Sequence, residues 1–340
     1  MADDTRYAYA VARIRGLETR LLDRQWVERL LGEDADGALK VLSDSAFQEA
    51  MTDVARPEDI EPGLTRALAE TLTVVSYVSP EPELVDLFRT RWDFRNLKAL
   101  VKASLLKMLE SDAELNEIEL GLVEGVGTVE LPALVEAVRD DDHVSLPHFL
   151  VDAVREAEDT FRDTGELARV DAVFERAMWA HHLAVAMERG SEFLADYFRT
   201  EIDLVNIKTF ARVKRVGGDA TDLVRSYVQG GALARSLFEE HLGESFDSMA
   251  RTLEYGPYGT LAPVFREWTG SSGRALELAC DDLLLGRVDH ASRVAYGLEP
   301  LVAYVLVRQL EIKLVRAAVA SKLDGLPREE LEAGLRAVHV

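Results

Sequence analysis

Apolar residues recur at helical spacing along most of this chain. An opening helix is predicted by the recurrence of Tyr7, Val11, Ile14 and Leu21. Further helices are predicted at 38–51, from about 83 to 110, at about 148–162, 166–189 and 191–215, and from about 299 to 323. Glycine and proline are confined to short patches between these segments, and no alternating valine-rich run is long enough for a sheet. The pattern therefore predicts an all-α fold.

One stretch of sequence occurs three times. The residues 88–98, FRTRWDFRNLK, return as FRTEIDLVNIK at 198–208, an offset of 110 residues. A weaker copy, EIKLVR at 311–316, follows after a further 108 residues. Internal repetition of this kind predicts copies of one structural unit. We therefore predict three helical units, at 1–115, 116–218 and 219–340.

Each copy places polar residues between two apolar faces of its helix. On a helical wheel Asp93 and Asn96 are neighbours in such a wedge, as are Asp203 and Asn206, while the third copy has Glu311 and a leucine at the asparagine position. A buried polar group without a hydrogen bond costs about 1–3 kcal/mol. The favoured interpretation is that each pair fastens a helix end or loop within its unit. The alternative is that the pairs line a shared cavity and contact a ligand or partner.

Composition and charge narrow the class of protein. The net charge of −22 disfavours a nucleic-acid binder, which needs a basic surface to displace counterions. The excess acid serves solubility or steers a basic partner into place. Cys280 is the single cysteine, which excludes an internal disulfide and fits a reducing, cytoplasmic location. Neither a targeting segment nor a membrane span is predicted.

Catalytic and metal-binding patterns are missing from the sequence. His181 and His182 are adjacent, whereas helical metal ligands need a spacing of three or four residues. The glycines at 121, 125 and 127 lack the Gly-Lys-Ser/Thr of a phosphate loop and are interpreted as a connector. No Gly-x-Ser-x-Gly elbow occurs. The sequence predicts a protein without catalytic activity, metal or cofactor.

The repeats and the N-terminal segment YAYAVARIRGLE at 7–18 resemble a known family. They are similar to the C subunit of the V-type (archaeal and bacterial A/V-type) ATP synthases, the counterpart of the d subunit in eukaryotic V-ATPases. The likeness spans nearly the whole chain, including EPL at 299–301 in the last unit. Leu314 departs from the asparagine that the family pattern leads us to expect there.

The resemblance implies an all-α, funnel-shaped molecule of three pseudo-symmetric helical-bundle units. It implies a non-catalytic central-rotor subunit that couples the central stalk to the proton or sodium rotor ring and transmits torque. The expected partners are the stalk subunits and the ring, and the expected location is peripheral, on the cytoplasmic side of the membrane. We expect a monomer in isolation. The structural or interaction candidates are Asp93, Asn96, Lys98, Asp203, Asn206, Lys208 and Glu311.

Two other functions stay open at this point. An independent all-helical scaffold that binds protein partners would show a repeat of about 34–47 residues, much shorter than the repeat found here. An enzyme with a site between units would reveal itself by stabilisation with nucleotides or metals.

Overall fold

Helices account for all the regular structure in the described residues. A computed structural model of the chain describes residues 5–107, 121–140, 142–269 and 272–325. Over these residues it contains fifteen α-helices and no β-strand, which confirms the all-α prediction. The helices are α1 (Ala8–Glu18), α2 (Arg24–Gly32), α3 (Ala35–Ser43), α4 (Ile60–Val78), α5 (Pro82–Lys107), α6 (Leu131–Arg139), α7 (His148–Thr164), α8 (Leu167–Glu188), α9 (Glu192–Arg215), α10 (Ala220–Ser226), α11 (Arg235–Leu242), α12 (Phe246–Leu253), α13 (Ala262–Arg266), α14 (Ser272–Ser292) and α15 (Glu299–Leu323).

Side-chain caps fix where several helices begin. Asp34 accepts a hydrogen bond from the backbone N–H of Gly37 at 2.8 Å, and Ser191 accepts one from Leu194 at 3.3 Å. At the start of α10, Asp219 and Asp222 form a capping box, in which the side chain of each accepts a hydrogen bond from the backbone N–H of the other. Such caps satisfy amides that have no partner inside the helix.

The long helices agree closely with the prediction. Helices α7, α8 and α9 end or begin within two residues of their predicted bounds, and α15 has the predicted bounds. Helix α5 begins at Pro82, one residue before the predicted start, while the predicted end near residue 110 lies outside the described residues.

The helix predicted at 38–51 is wrong in its extent. Helix α3 begins at Ala35 and ends at Ser43, and turns follow up to residue 53. The hydroxyl of Ser45 donates to the carbonyl of Leu42 at 2.7 Å and accepts from the amide of Phe47 at 3.2 Å. This local bonding competes with the helical ladder and ends the helix.

Contacts divide the chain into two compact units. The first consists of Met1–Arg89, Glu124–Val126 and Leu285–Val340. In it, α15 packs against α1, α2, α3 and α4. The helix that carries the third repeat copy is therefore covered by helices from the beginning of the chain.

The second unit consists of Thr90–Val123 and Gly127–Leu284. Its described residues form two hydrophobic clusters, each built around one repeat helix. The first joins Phe94, Leu97 and Val101 of α5 to residues of α6, α7 and α8. The second joins residues of α9 to α10–α14. The three-unit division at 1–115, 116–218 and 219–340 stays a prediction.

The three repeat helices α5, α9 and α15 are largely buried, as their two apolar faces predict. In α9 the residues predicted for these faces are all buried, namely Phe198, Ile202, Leu204, Ile207 and Ala211. In α5 Trp92 and Ala99 are half-buried, and in α15 Ala317 is exposed. Each helix thus packs on both faces along most of its length, which explains why apolar residues surround its polar positions.

Candidate functional site

Asp93 and Asn96 bind the backbone of a single connecting loop. The carboxamide of Asn96 donates to the carbonyl of Val123 at 2.7 Å and accepts from the amide of the same residue at 3.0 Å. The carboxylate of Asp93 accepts from the amides of Thr128 and Val129 at 3.0 and 3.1 Å. Both polar side chains are buried, and these bonds satisfy backbone groups that no helix pairs.

The second polar pair repeats this arrangement. Asn206 donates to the carbonyl of Val228 at 2.8 Å and accepts from its amide at 2.9 Å. Asp203 accepts from the amides of Ala232 and Leu233, both at 2.9 Å. In both copies, therefore, the asparagine side chain binds the first part of a loop and the aspartate side chain binds its last part.

Both loops follow their repeat helix in the chain. The loop bound by Asp93 lies in the predicted 116–218 segment, although its helix was assigned to 1–115. The loop bound by Asp203 lies in 219–340, although its helix was assigned to 116–218. Neither pair therefore fastens a loop within its own predicted segment. The loop after α5 contains the glycines that superficially resemble a phosphate loop. Its amides at Thr128 and Val129 already donate to Asp93.

A glycine lies directly against the carboxylate in each loop. A Cβ atom on Gly127 would lie 2.1 Å from Oδ1 of Asp93, and one on Gly231 would lie 2.1 Å from Oδ1 of Asp203. No side chain fits at such a distance. The two glycines therefore allow the backbone to reach the carboxylate, a reason for their presence that spacing alone does not reveal.

The third copy binds a loop from the other end of the chain. Glu311 accepts from the amide of Leu22, which lies between α1 and α2, and from the guanidinium of Arg308 at 2.5 Å. Leu314 occupies the position of Asn206 and is buried. The longer glutamate retains contact with the loop backbone, while the bond pair made by the asparagine is lost.

A cavity of about 280 Å³ borders this third copy. Its lining is mostly apolar and includes Leu22, Tyr304, Leu310 and Leu314, together with Glu311. Leucine thus faces a cavity at the position where the other two copies carry a loop-binding carboxamide.

The two candidate lysines behave differently from each other. Lys98 is half-buried, and its Nζ lies 3.9 Å from a carboxylate oxygen of Asp171. That carboxylate also accepts from Lys102 at 2.9 Å. Lys208 is exposed and forms no ion pair with a described residue. The structure therefore does not bring Lys98 and Lys208 into equivalent contacts.

Two further lysines, which the sequence analysis missed, bind helix ends. Lys214 lies eleven residues after Asp203, and its Nζ donates to the carbonyls of His241 and Leu242 at 3.2 and 2.6 Å, at the C-terminus of α11. Lys322 lies eleven residues after Glu311, and its Nζ donates to the carbonyl of Leu31 at 3.0 Å, near the C-terminus of α2. A cation at this end of a helix is favourable because the terminal carbonyls carry partial negative charge. The shared offset of eleven residues is the signal that could have found them.

A half-buried ion pair joins two of the repeat helices at equivalent positions. Arg91 donates to Glu201 at 3.1 Å, and these residues are 110 positions apart, the repeat offset itself. The guanidinium also lies 5.2 Å from the ring centroid of Trp179. When the two copies are aligned, the arginine of the first copy stands at the same position as the glutamate of the second. Their opposite charges explain the contact, but the alignment alone does not show that the two side chains meet.

Burial raises the pKa of both loop-binding acids that show a resolved shift. For Asp203 burial dominates, and the hydroxyl of Tyr258, 2.6 Å from Oδ2, opposes the rise in pKa together with the two loop amides. For Glu311 burial again raises the pKa, and the neighbouring Arg308 opposes it. Both acids therefore act as hydrogen-bond acceptors in sites that resist negative charge.

Two histidines and the cysteine pack against other groups of the protein. His182 is fully buried, its Nε2 lies 3.0 Å from the hydroxyl of Thr90, and burial lowers its pKa well below the ordinary value. His181 stacks on Phe149 with ring centroids 3.8 Å apart. Burial raises the pKa of the Cys280 thiol to about 12, which keeps it protonated at neutral pH.

Within the described ranges we find no cluster of acids, histidines or cysteine that could hold a metal. The same part of the chain contains no helix with the length and apolar character that crossing a bilayer requires.

Comparison with known proteins resolves the family. The model of the ATP synthase (C/AC39) subunit family matches residues 10–334. The chain belongs to this family. The resemblance noted in the sequence is therefore confirmed, and relatives are named as C subunits of a V-type sodium ATPase and of A-type ATP synthases.

Individual relatives align along most of their length. The C subunit of the V-type sodium ATPase of Enterococcus hirae is 26% identical, with 96% of this chain and 97% of the relative covered. The C subunit of the A-type ATP synthase of Desulfurococcus sp. is 27% identical, with coverages of 96% and 90%. The corresponding protein of Methanothermobacter thermautotrophicus is 25% identical, with coverages of 94% and 85%. This C/AC39 chain is thus similar to components of both sodium ATPases and ATP synthases.

Proposed function

We propose that this chain is a non-catalytic central-rotor component of a V/A-type ATPase. In this role it couples the central stalk to the membrane rotor ring and transmits torque between them. The observation that carries the proposal is the family match over residues 10–334, together with relatives named as C subunits of a V-type sodium ATPase and of A-type ATP synthases.

The contacts of the repeat helices support a mechanical role. In α9 a loop is bound at Asp203 and the end of a second helix is bound at Lys214, eleven residues further along. In α15 the equivalent contacts are made by Glu311 and Lys322. Polar bonds at two levels of a buried helix resist sliding of its neighbours, because movement would leave buried groups without partners. Resistance of this kind suits a part that carries load.

The chemistry of the described residues supports a role without catalysis. The loop amides donate to carboxylates of the chain itself, and the buried thiol and histidines contact protein groups. We further propose three pseudo-symmetric units in a funnel-shaped molecule, a peripheral cytoplasmic location and a monomeric state in isolation.

The first test is capture of the complex. A tagged chain would be used to purify its partners from detergent-solubilised native membranes, and the co-purifying proteins would be identified by mass. The proposal expects stalk and ring subunits together. Recovery of the chain alone, or with unrelated soluble proteins, would contradict it.

A second test separates coupling from catalysis. Complex purified from cells that lack this chain should still hydrolyse ATP in its soluble part but should no longer pump ions into vesicles. Adding the purified chain back should restore pumping. ATP hydrolysis by the isolated chain itself would contradict the non-catalytic role.

A further inference from the structure

Helix α9 carries an exposed line of positive charge in its C-terminal half. Lys208, Arg212 and Arg215, here called the basic stripe, follow one another at spacings of four and three residues and so lie on one side of the helix. All three side chains are exposed. The stripe extends over about 10 Å, from a rise of 1.5 Å per residue.

The stripe forms no ion pair within the described part of the chain, although the chain is strongly acidic. The chain has 61 acidic and 39 basic residues, so acids outnumber the cations that could pair with them. None of the three forms an ion pair with a described residue. By contrast Lys214, on the same helix, directs its charge into carbonyls of the protein. The stripe therefore contributes its charge to the surface and not to the fold.

A neighbouring helix extends this positive surface. The guanidinium of Arg215 lies 3.6 Å from the position of a Cβ atom on Gly273, in the first turn of α14. Arg274, the next residue, is exposed and also forms no ion pair with a described residue. Lys208, Glu277 and Asp281 all lie close enough to Cys280 to affect the pKa of its thiol. Lys208 nevertheless forms no ion pair with either of these two acids of α14.

We propose that the basic stripe binds a carboxylate-rich helix of a partner protein. Acids spaced four and three residues apart on a helix match the stripe charge for charge. Val205 precedes the stripe on the same side of α9, and Val216, at its end, is 71% exposed, so apolar contacts are available at both ends. The inference stands on these residues and does not depend on which complex the chain joins.

A protein helix fits this surface better than an anionic lipid bilayer. A bilayer is an extended sheet of negative charge, and a chain with net charge −22 is repelled by it over a Debye length of about 8 Å. The gain from basic side chains is about 1 kcal/mol each near such a surface. A helix presents its acids only where the stripe can meet them, so the rest of the acidic surface stays farther away.

The test uses a synthetic probe and charge reversal. The probe is a fluorescent helical peptide with glutamates repeated at spacings of four and three residues, and binding is measured by anisotropy. The full-length chain is compared with its Lys208→Glu/Arg212→Glu/Arg215→Glu variant. We expect the reversal to weaken binding about tenfold or more, as the loss of several exposed ion pairs would. We also expect wild-type binding to weaken as salt rises from about 50 to 300 mM.

A matched variant controls for total charge. Arg13, Lys40 and Arg155 are exposed, and none forms an ion pair with a described residue, so Arg13→Glu/Lys40→Glu/Arg155→Glu changes the net charge equally. Peptide binding by this variant should stay within about twofold of wild type. Equal loss in both variants would overturn the proposal, because only net charge would then matter.

Two further measurements make the outcome decisive. Circular dichroism verifies that each variant is folded. If the triple charge reversal unfolds the protein, the same three residues are replaced by glutamine instead, and we then expect a smaller loss of peptide binding. Vesicles of phosphatidylserine and of phosphatidylcholine are tested in parallel. Absence of peptide binding by the wild type, or stripe-dependent binding to phosphatidylserine vesicles without peptide binding, would each overturn the proposal.

Discussion

At the residue scale, two glycines stand where any side chain would collide with a buried carboxylate. The approach of Gly231 to Asp203 allows two loop amides to reach one acid. Replacing Gly231 by alanine would place Cβ 2.1 Å from Oδ1 and force the loop away. We expect Gly231→Ala to lower the free energy of unfolding by about 2–4 kcal/mol, measured by urea titration.

Gly243 provides the matched control for that substitution. It ends α11 with a φ of −84°, and a Cβ atom there would meet nothing within 4 Å. Gly243→Ala should leave stability within about 0.5 kcal/mol or raise it slightly. If Gly231→Ala were equally harmless, the close approach to Asp203 would have no energetic weight.

The buried carboxyl of Asp203 should also leave a mark in the pH dependence of stability. Because its pKa is raised in the folded state, the native protein binds this proton before the unfolded chain does. Wild type should therefore gain stability relative to Asp203→Asn as pH falls through the folded pKa. The gain should be complete below the ordinary value of 3.8.

The measurement is urea unfolding of both proteins at several pH values from 7 to 3. Asp203→Asn should be less stable by about 1–3 kcal/mol at neutral pH, since an amide N–H would face backbone donors. A stability difference that narrows, instead of widening, as pH falls would contradict a raised pKa.

At the element scale, a lysine stabilises the end of a helix to which it does not belong. Lys214 of α9 places its charge on the last carbonyls of α11. Lys214→Met keeps the aliphatic stem but removes that charge, and we expect a loss of about 1–2 kcal/mol, with faster hydrogen exchange in α11. Lys208→Met, an exposed substitution on the same helix, should change stability by less than about 0.5 kcal/mol. Equal exchange in the two variants would contradict this role for Lys214.

Local patterns in the sequence predict the long helices but not what their polar residues bind. Apolar spacing, together with caps and breakers such as Ser191 and Gly165, predicts where these helices begin and end. The prediction matches the bounds of α15 and comes within two residues of the bounds of α7–α9. The wedge position of Asp93 and Asn96 was likewise predictable. That they hold residues 123, 128 and 129 was not, because a helical wheel says nothing about distant loops. The end of α3 was missed because one serine hydroxyl competed with the helix.

At the scale of the whole molecule, one compact unit is assembled from both ends of the chain. The amide of Leu22 and the carboxyl of Glu311 are 289 residues apart in sequence. Lys322 reaches α2 over a similar separation. The first unit therefore depends on contacts that local sequence cannot encode, and its stability should be shared between α1–α4 and α15.

Hydrogen exchange with mass analysis can detect this sharing. Glu311→Gln weakens the bonds to Leu22 and to Arg308, and we expect faster exchange in peptides from 8–32 as well as from 299–323. Peptides from 131–164 should be unaffected. Glu61→Gln is the control, since the Glu61–Arg316 pair is exposed and contributes at most about 1 kcal/mol. A change confined to 299–323 would contradict shared stability.

The contact between Glu311 and Leu22 also sets an order of events during synthesis on the ribosome. The first helices emerge long before the glutamate that binds their connecting loop has been translated. At about 5–20 residues per second, the intervening 289 residues take on the order of 15–60 s to appear. During that interval the apolar faces of α1–α4 that pack on α15 lack their partner. The beginning of this protein must therefore stay soluble, alone or under the protection of a chaperone, until its end has been made.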